Sequence, residues 1–193
     1  MHAPQVWSEA EHGVGDSPGT SFTPPTPGAT SFPMAITTAQ SFNLTLFSAI
    51  GSTIGREGRA FSNAGNSGGT FWTPNINVFR DPRWGRGADT PGEDVTLTSA
   101  YASAYITAFQ RGAEDPRYLL SSPCAKHFAG YSLEDYNGTS REAFDARIPA
   151  ADWIDTYTPA FQSAIEVGRS SCLMCSCVER AEMVAGRMCR PGT

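Results

Sequence analysis

The sequence lacks any long apolar run, and no segment approaches the roughly 20 consecutive apolar residues that a membrane-spanning helix needs. It shows no leader either, because Met1–Trp7 has neither a basic start nor the apolar stretch of a signal peptide. Basic residues are in the minority, with 14 Lys and Arg against 19 Asp and Glu, and a formal net charge of −5 argues against a nucleic-acid surface. We therefore expect a globular protein that binds neither membrane nor nucleic acid.

The cysteines of the sequence show no pattern that is typical of a disulfide framework. The five cysteines are an odd number, which in a chain without a leader predicts no disulfide framework. Cys172, Cys175 and Cys177 form a cluster, but a structural zinc site usually needs four ligands at paired spacings and the sequence has no second cluster. Zinc is therefore the less favoured interpretation. We expect small buried hydrophobic side chains here, and neither a metal nor a cofactor.

The apolar periodicity changes from helical to strand-like several times along the chain. Residues 13–35 are rich in Gly, Pro, Ser and Thr and predict an extended connection without regular structure. The expected elements are then a helix over 41–62, a strand over Thr70–Phe79, a helix over 94–112, a strand over Ser122–Phe128, a helix beginning at Pro149, and a strand over Ser170–Ser176. The buried stripe of the last helix would be Trp153, Tyr157, Phe161 and Ile165.

Helices that alternate with strands predict parallel strands and right-handed crossovers. A closed (β/α)8 barrel typically takes about 250 residues, whereas this chain has 193. The fold class that we predict is therefore α/β, a partial (β/α)8 TIM-type barrel of about three to four β/α units.

Polar residues that suit a ligand site follow the predicted strands, where parallel α/β folds place their sites. These residues are Arg80, Asp81, Arg83 and Arg86 after the first strand, Lys126 and His127 at the end of the second, Met174, Cys175 and Ser176 at the third, and Glu9, Glu11 and His12 near the start. Arginine holds its donors in a rigid fork that suits sugar hydroxyls. The alternative interpretation is structural: Arg–Asp pairs that pin a loop, a satisfied histidine and a surface carboxylate.

Several motifs, in the same order, resemble glycoside hydrolase family 3, and specifically the N-terminal barrel domain of its β-xylosidase-like branch. The segments that carry the resemblance are Trp7–Gly13, Pro27–Pro33, Phe71–Asp94, Cys124–Phe128 and Leu173–Ser176. Three departures stand out. Glu11 replaces a leucine, Asp89 replaces a glutamate, and Cys177 follows Ser176 where the family has tyrosine. The likeness ends there, so we divide the chain into a partial barrel domain, 1–176, and a divergent tail, 177–193.

The resemblance implies a sugar site. Arg86, Lys126 and His127 match residues that hold hydroxyls in the innermost subsite, and Glu9 matches a carboxylate on the far side of that sugar. A glutamate there also crowds the space that a hexose CH2OH would occupy, which favours a pentose. The family's nucleophile and acid/base match no residue of this chain. The resemblance therefore assigns no catalytic residue, and we expect the chain alone to be inactive.

Two classes of function follow. The first is a fragment of a retaining β-glycosidase, similar to xylan 1,4-β-xylosidase, that takes terminal β-D-xylosyl residues from xylo-oligosaccharides. The second is a carbohydrate-binding or scaffold module without catalysis; a β-glucosidase or α-arabinofuranosidase of the same family is a further alternative. We expect an extracellular location for the full-length parent, with Asn43-Leu-Thr45 and Asn137-Gly-Thr139 as glycosylation acceptors.

Overall fold

A computed structural model describes residues 7–112 and 115–176. Its six strands are β1 (Trp7–Glu9), β2 (Thr70–Trp72), β3 (Ser122–Phe128), β4 (Asp135–Tyr136), β5 (Thr139–Ser140) and β6 (Cys172–Cys175). Its helices are α1 (Ala35–Ala39), α2 (Leu44–Asn63), α3 (Val95–Gln110), α4 (Ala150–Asp152) and α5 (Pro159–Glu166), with a 3-10 turn at Gly87–Asp89 and a π-helical turn at Trp153–Tyr157. None of the helices in these two ranges is both long and apolar enough to cross a bilayer.

The main sheet contains four parallel strands in the order β1-β2-β3-β6. Helices α2, α3 and α5 lie between consecutive strands in the chain, as the alternation predicts. The partial (β/α)8 fold class is thus confirmed. Strand β1, only three residues long, was not among the elements that the apolar periodicity predicted. Strands β4 and β5 form a separate antiparallel hairpin after β3.

Two buried clusters fill the space around the sheet. The first joins α2 to α3 through Phe47, Ile54, Tyr105 and Phe109, together with Phe71 of β2. The second joins α3, β3 and α5 and includes Ile106, Ala125 and Phe161. Asn43 caps α2 by accepting from the backbone N–H groups of Thr45 and Leu46, and Asp94 caps α3 by accepting from Leu97 N–H. The helices predicted over 41–62 and 94–112 are therefore confirmed.

Two predicted elements are wrong in their extent. The strand expected over Thr70–Phe79 stops at Trp72, and beyond it the backbone makes isolated contacts such as Ile76 N–H to Lys126 O, 2.8 Å. The helix expected from Pro149 is divided into α4, the π-helical turn and α5. Pro159 starts α5 because it lacks the N–H that a continuous helix would use. Ile165 lies outside the buried stripe and is 49% exposed.

The prediction of no disulfide framework is also wrong. Cys124 on β3 and Cys172 on β6 are joined by a disulfide between neighbouring strands. Spacing along the chain could not show this pair, because the two cysteines are 48 residues apart and meet only once β3 and β6 pair. Cys177 and the proposed tail lie outside the described residues.

Candidate functional site

The loop after β2 is anchored by Trp84, whose buried ring packs edge-on against Phe79 and Tyr131 with centroid distances of 6.3 and 5.2 Å. Beside this anchor, Arg86 Nε and Nη2 bind the Asp89 carboxylate at 2.7 and 2.6 Å. The pair fixes the plane of the guanidinium, because two N–H groups reach one carboxylate oxygen. The third nitrogen, Nη1, is thereby directed at His127 on the neighbouring strand, at 3.3 Å.

Lys126 projects from β3 as a buried cation held between two carboxylates. Its side chain is only 3% exposed, and its Nζ lies 2.9 Å from Glu9 Oε2 and 2.8 Å from Glu11 Oε2. Burial opposes the charge of the ammonium, but the two carboxylates outweigh that effect and raise the pKa of Lys126. Lys126 is therefore a protonated donor at neutral pH.

His127 is oriented by the side-chain amide of Asn77. The Asn77 oxygen accepts from the backbone N–H of His127 at 2.9 Å and lies 3.0 Å from its Nδ1, while the Asn77 Nδ2 donates to the His127 carbonyl at 2.9 Å. An amide oxygen only accepts, so the proton sits on Nδ1, and Nε2 is left to accept from Arg86 Nη1. Burial, followed by the positive charges of Lys126, Arg86 and Arg141, lowers the pKa of His127 to about 2. The imidazole is therefore neutral.

The hairpin β4–β5 and the turn before it close another side of this region. Tyr131 packs against the His127 ring edge-on at 4.8 Å, lies under the Arg86 guanidinium at 5.8 Å, and donates from its hydroxyl to Glu134. Glu134 Oε1 lies 3.8 Å from Arg86 Nε, and Arg141 Nη1 donates to the Tyr131 hydroxyl at 3.2 Å. Arg86 is thus flanked by two carboxylates and an aromatic ring.

The sequence profile described as the Glycosyl hydrolase family 3 N terminal domain matches residues 11–188, most of the chain. This chain belongs to glycosyl hydrolase family 3. The matched range extends beyond Ser176 into the segment that the motifs left unassigned; the domain division at residue 176 stays a prediction.

Family 3 proteins of known name match at high identity. The chain is 48% identical to "Beta-D-xylosidase 3" of Arabidopsis thaliana and to "Beta-xylosidase/alpha-L-arabinofuranosidase 1" of Medicago sativa subsp. varia, over 172 residues in each case. Each alignment covers 88% of this chain and 22% of the relative, so the chain spans about a fifth of their length. A solved GH3 exo-β-xylosidase, XlnD, in complex with a xylobiose aziridine probe superposes with a TM-score of 0.82 at 46% identity, covering 89% of this chain and 22% of that one.

Four of the residues predicted for the family 3 sugar site lie in this region: Glu9 and Lys126 as one ion pair, and Arg86 and His127 as neighbours. Their role in binding a sugar stays a prediction. Glu11 also lies in this region, beside Lys126, whereas other polar candidates make contacts elsewhere. Arg80 pairs with Asp152, Arg83 pairs with Asp81, and His12 Nδ1 lies 3.1 Å from the Phe32 carbonyl. Arg83 and Arg86 each pair with an aspartate of their own loop, as the loop-pinning interpretation expects, and Arg86 in addition faces His127.

Sequence reasoning missed several residues that shape the site. They are Asn75, Asn77, Tyr131, Glu134 and Arg141. The sequence carries a signal for the two asparagines, because they are polar residues at alternate positions of an otherwise apolar stretch. Such residues are informative when they are buried, as these two are. No group of three or more His, Cys, Asp or Glu side chains in ranges 7–112 and 115–176 is arranged to hold a metal ion.

Proposed function

We propose that this chain carries part of the sugar-binding site of a retaining β-glycosidase of the β-xylosidase type, acting on terminal β-D-xylosyl residues of xylo-oligosaccharides. The observation that carries the proposal is the meeting of Arg86, His127, Lys126 and Glu9 at the carboxyl ends of adjacent parallel strands. A sugar hydroxyl both donates and accepts. The cluster supplies N–H donors from Arg86 and Lys126 and a half-exposed carboxylate from Glu9.

An aromatic wall lies beside these polar groups. Trp7 and Glu9 are two residues apart on β1 and therefore point to the same face of the sheet. Trp72 is the register partner of Glu9 on β2, and its ring stacks on Trp7 with a centroid distance of 4.3 Å. Indole faces pack against the C–H side of a sugar ring, while the carboxylate takes its hydroxyls. The pair thus gives the site the mixed apolar and polar lining that sugars need.

We favour a pentose over a hexose because the family resemblance places Glu9 where a hexose CH2OH group would project. The names of the relatives are consistent with a pentose, since they refer to xylosidase. The names of two Medicago proteins also refer to α-L-arabinofuranosidase. Arabinofuranosides are therefore the second substrate class that we consider. A binding or scaffold module without catalysis is the alternative class, and it predicts the same sugar contacts without turnover in any longer form.

We further propose an extracellular location for the parent protein. The Cys124–Cys172 disulfide suits an oxidising compartment. Asn43 and Asn137, the acceptors of the two glycosylation triplets, are both exposed. Loss of mass on enzymatic deglycosylation of the secreted protein would support this location, and protein retained in the cytosol with free Cys124 and Cys172 thiols would contradict it.

The test of the sugar site is a binding titration on the full chain, in which xylose is added and chemical shifts are followed by NMR. We expect Arg86→Ala to weaken xylose binding by about tenfold or more, because a hydrogen bond to a charged group contributes roughly 1.5–3 kcal/mol. Arg117→Ala is the matched control. Arg117 is also paired with an aspartate, Asp115, but it lies in the loop that precedes β3, away from the strand carboxyl ends. Equal weakening by both substitutions would contradict the proposed site.

A further inference from the structure

Glu11 is the residue of this site whose role the sequence did not indicate. It stands where the related motif has leucine, yet its side chain is only 13% exposed. One carboxylate oxygen accepts from the backbone N–H of Asn75 at 3.0 Å, and the other lies 2.8 Å from Lys126 Nζ. The carboxylate is therefore held at both ends. Glu9, the other partner of Lys126, is 50% exposed and remains open to solvent.

The backbone strengthens this connection. Asn75, which donates to Glu11, forms a parallel bridge with Lys126 itself. Lys126 N–H donates to the Pro74 carbonyl at 3.0 Å, and the Lys126 carbonyl accepts from Ile76 N–H at 2.8 Å. Glu11 thus binds the side chain of Lys126 and the backbone that flanks its strand. Movement of Lys126 away from β2 would break both contacts.

An ammonium group has three N–H donors. Glu9 accepts one of them at 2.9 Å, and Glu11 Oε2 lies 2.8 Å from the same nitrogen as an ion partner. We propose that Glu11 is a positioning residue whose buried charge holds the Lys126 ammonium in place for contact with a sugar hydroxyl. This inference rests on the proposed function in so far as the ligand is a sugar. The positioning itself concerns groups that are present without it.

The charged and titratable groups around the pair come from every neighbouring element. They are Glu9 on β1, Asp89 in the loop after β2, Tyr101 and Tyr105 on α3, and His127 on β3. Burial raises the pKa of Glu11, and the charge of Lys126 offsets this in part. Each member of the pair therefore depends on the other for its charge. Removal of the buried Glu11 carboxylate should lower the pKa of Lys126 more than removal of the exposed Glu9 carboxylate, because solvent screens Glu9.

The test is a pH titration of the Lys126 ammonium by proton–nitrogen correlation NMR on the full chain, its Glu11→Gln variant, and the matched control Glu9→Gln. We expect Glu11→Gln to lower the pKa of Lys126 by about one unit or more, a tenfold change in its ionisation constant. Glu9→Gln should lower it less. A shift in Glu11→Gln that is no larger than in Glu9→Gln would overturn the proposal.

Thermal stability tests the same coupling if Glu11→Gln does not fold. A buried charge left alone is costly, whereas an apolar pair is tolerated in its place. Glu11→Leu should therefore be destabilised in thermal melts, and Glu11→Leu combined with Lys126→Met should recover the loss. Equal destabilisation of the single and double variants would overturn the coupling.

Xylose separates this inference from the proposed function. Lys126 that titrates as expected in the variants but shows no shift on addition of xylose would leave the positioning intact and contradict the sugar site. Lys126 that responds to xylose equally in the parent chain and in Glu11→Gln would support the site and overturn the role of Glu11.

Discussion

His127 shows how a single side chain in this site is determined by its neighbours. Asn77 contacts its backbone N–H, its carbonyl and its ring, and Arg86 faces its remaining nitrogen. The ring is nearly inaccessible to solvent and cations surround it, so protonation would place a further positive charge among them. The imidazole can act as a neutral acceptor in this state. It is not a proton donor to a ligand through Nε2.

The lowered pKa of His127 predicts a pH dependence of stability. The folded value of about 2 lies below the unfolded value of 6.5, so the unfolded chain takes up a proton first as the pH falls. Stability is therefore present above about pH 6.5 and is lost on acidification towards the folded pKa. Between about pH 7 and pH 5 the loss from this group is roughly 2 kcal/mol.

His127→Gln isolates that contribution, because glutamine stays neutral. We expect the free energy of unfolding, from denaturant titrations, to fall more steeply with acidification in the parent chain than in the variant. Glu11 acts in the opposite sense, since its raised pKa favours the folded state at low pH, but it is present in both proteins. Identical slopes in the two chains would show that folding does not lower the pKa of His127.

At the scale of elements, the contact between α2 and α3 depends on glycine. A Cβ at Gly51 would lie 2.5 Å from the Tyr105 carbonyl oxygen, and one at Gly55 would lie 2.3 Å from that of Phe109. The two helices therefore approach closely enough for backbone to touch backbone. The Gly55 carbonyl also accepts from the Ser121 hydroxyl at 2.9 Å, which connects α2 to the residue before β3.

We expect Gly55→Ala to destabilise the fold by about 1–3 kcal/mol, because the helices must separate to admit a methyl group. This outweighs the gain in helix propensity, which is about 1 kcal/mol. Gly28→Ala is the control, since no atom lies within 4 Å of its Cβ position, and it should change stability by less than about 0.5 kcal/mol. Thermal melts of both variants measure this difference in stability. Equal melting temperatures would show that α2 moves without cost.

At the scale of the whole molecule, the carboxylates of the site are bound to cations and not set across a sugar. Glu9 and Glu11 both lie within 2.9 Å of the one Lys126 ammonium, and Asp89 and Glu134 both flank Arg86. A retaining glycosidase needs two carboxyl groups about 5–5.5 Å apart on either side of the scissile bond. The Lys126 ammonium occupies the space between Glu9 and Glu11, so this pair cannot flank a glycosidic bond.

We therefore expect the chain alone to release no aryl alcohol from aryl β-xylosides, measured against the uncatalysed rate. Glu9→Gln and Glu11→Gln serve as controls for trace activity, because a contaminating enzyme would be unaffected by either. Turnover that either substitution abolishes would identify a catalytic pair within this chain and contradict the prediction. Xylose binding without turnover agrees with both the fragment and the non-catalytic module.

The local pattern of the sequence determined the helices α2 and α3, strand β3 and the parallel fold class, because apolar periodicity and caps act over a few residues. It also placed Lys126 and His127 at the end of one strand and Arg86 in the loop after its neighbour, since parallel strands share one carboxyl edge. The early end of β2 was harder to see, because it depends on how the chain packs across the sheet. The break before Pro159 is a local effect of the proline and was visible in the sequence.

Only the tertiary structure decided which groups meet. Lys126 contacts Glu9 across 117 residues, Glu11 contacts Asn75 across 64, and Asn77 contacts His127 across 50. The Cys124–Cys172 disulfide likewise needed β3 and β6 side by side. A buried ion pair forms where two strands bring charges together and remove their water, and neither condition is visible in residues that are far apart along the chain. In the sequence Glu11 was a polar candidate and a departure from the family motif, and its burial beside Lys126 makes it part of the site.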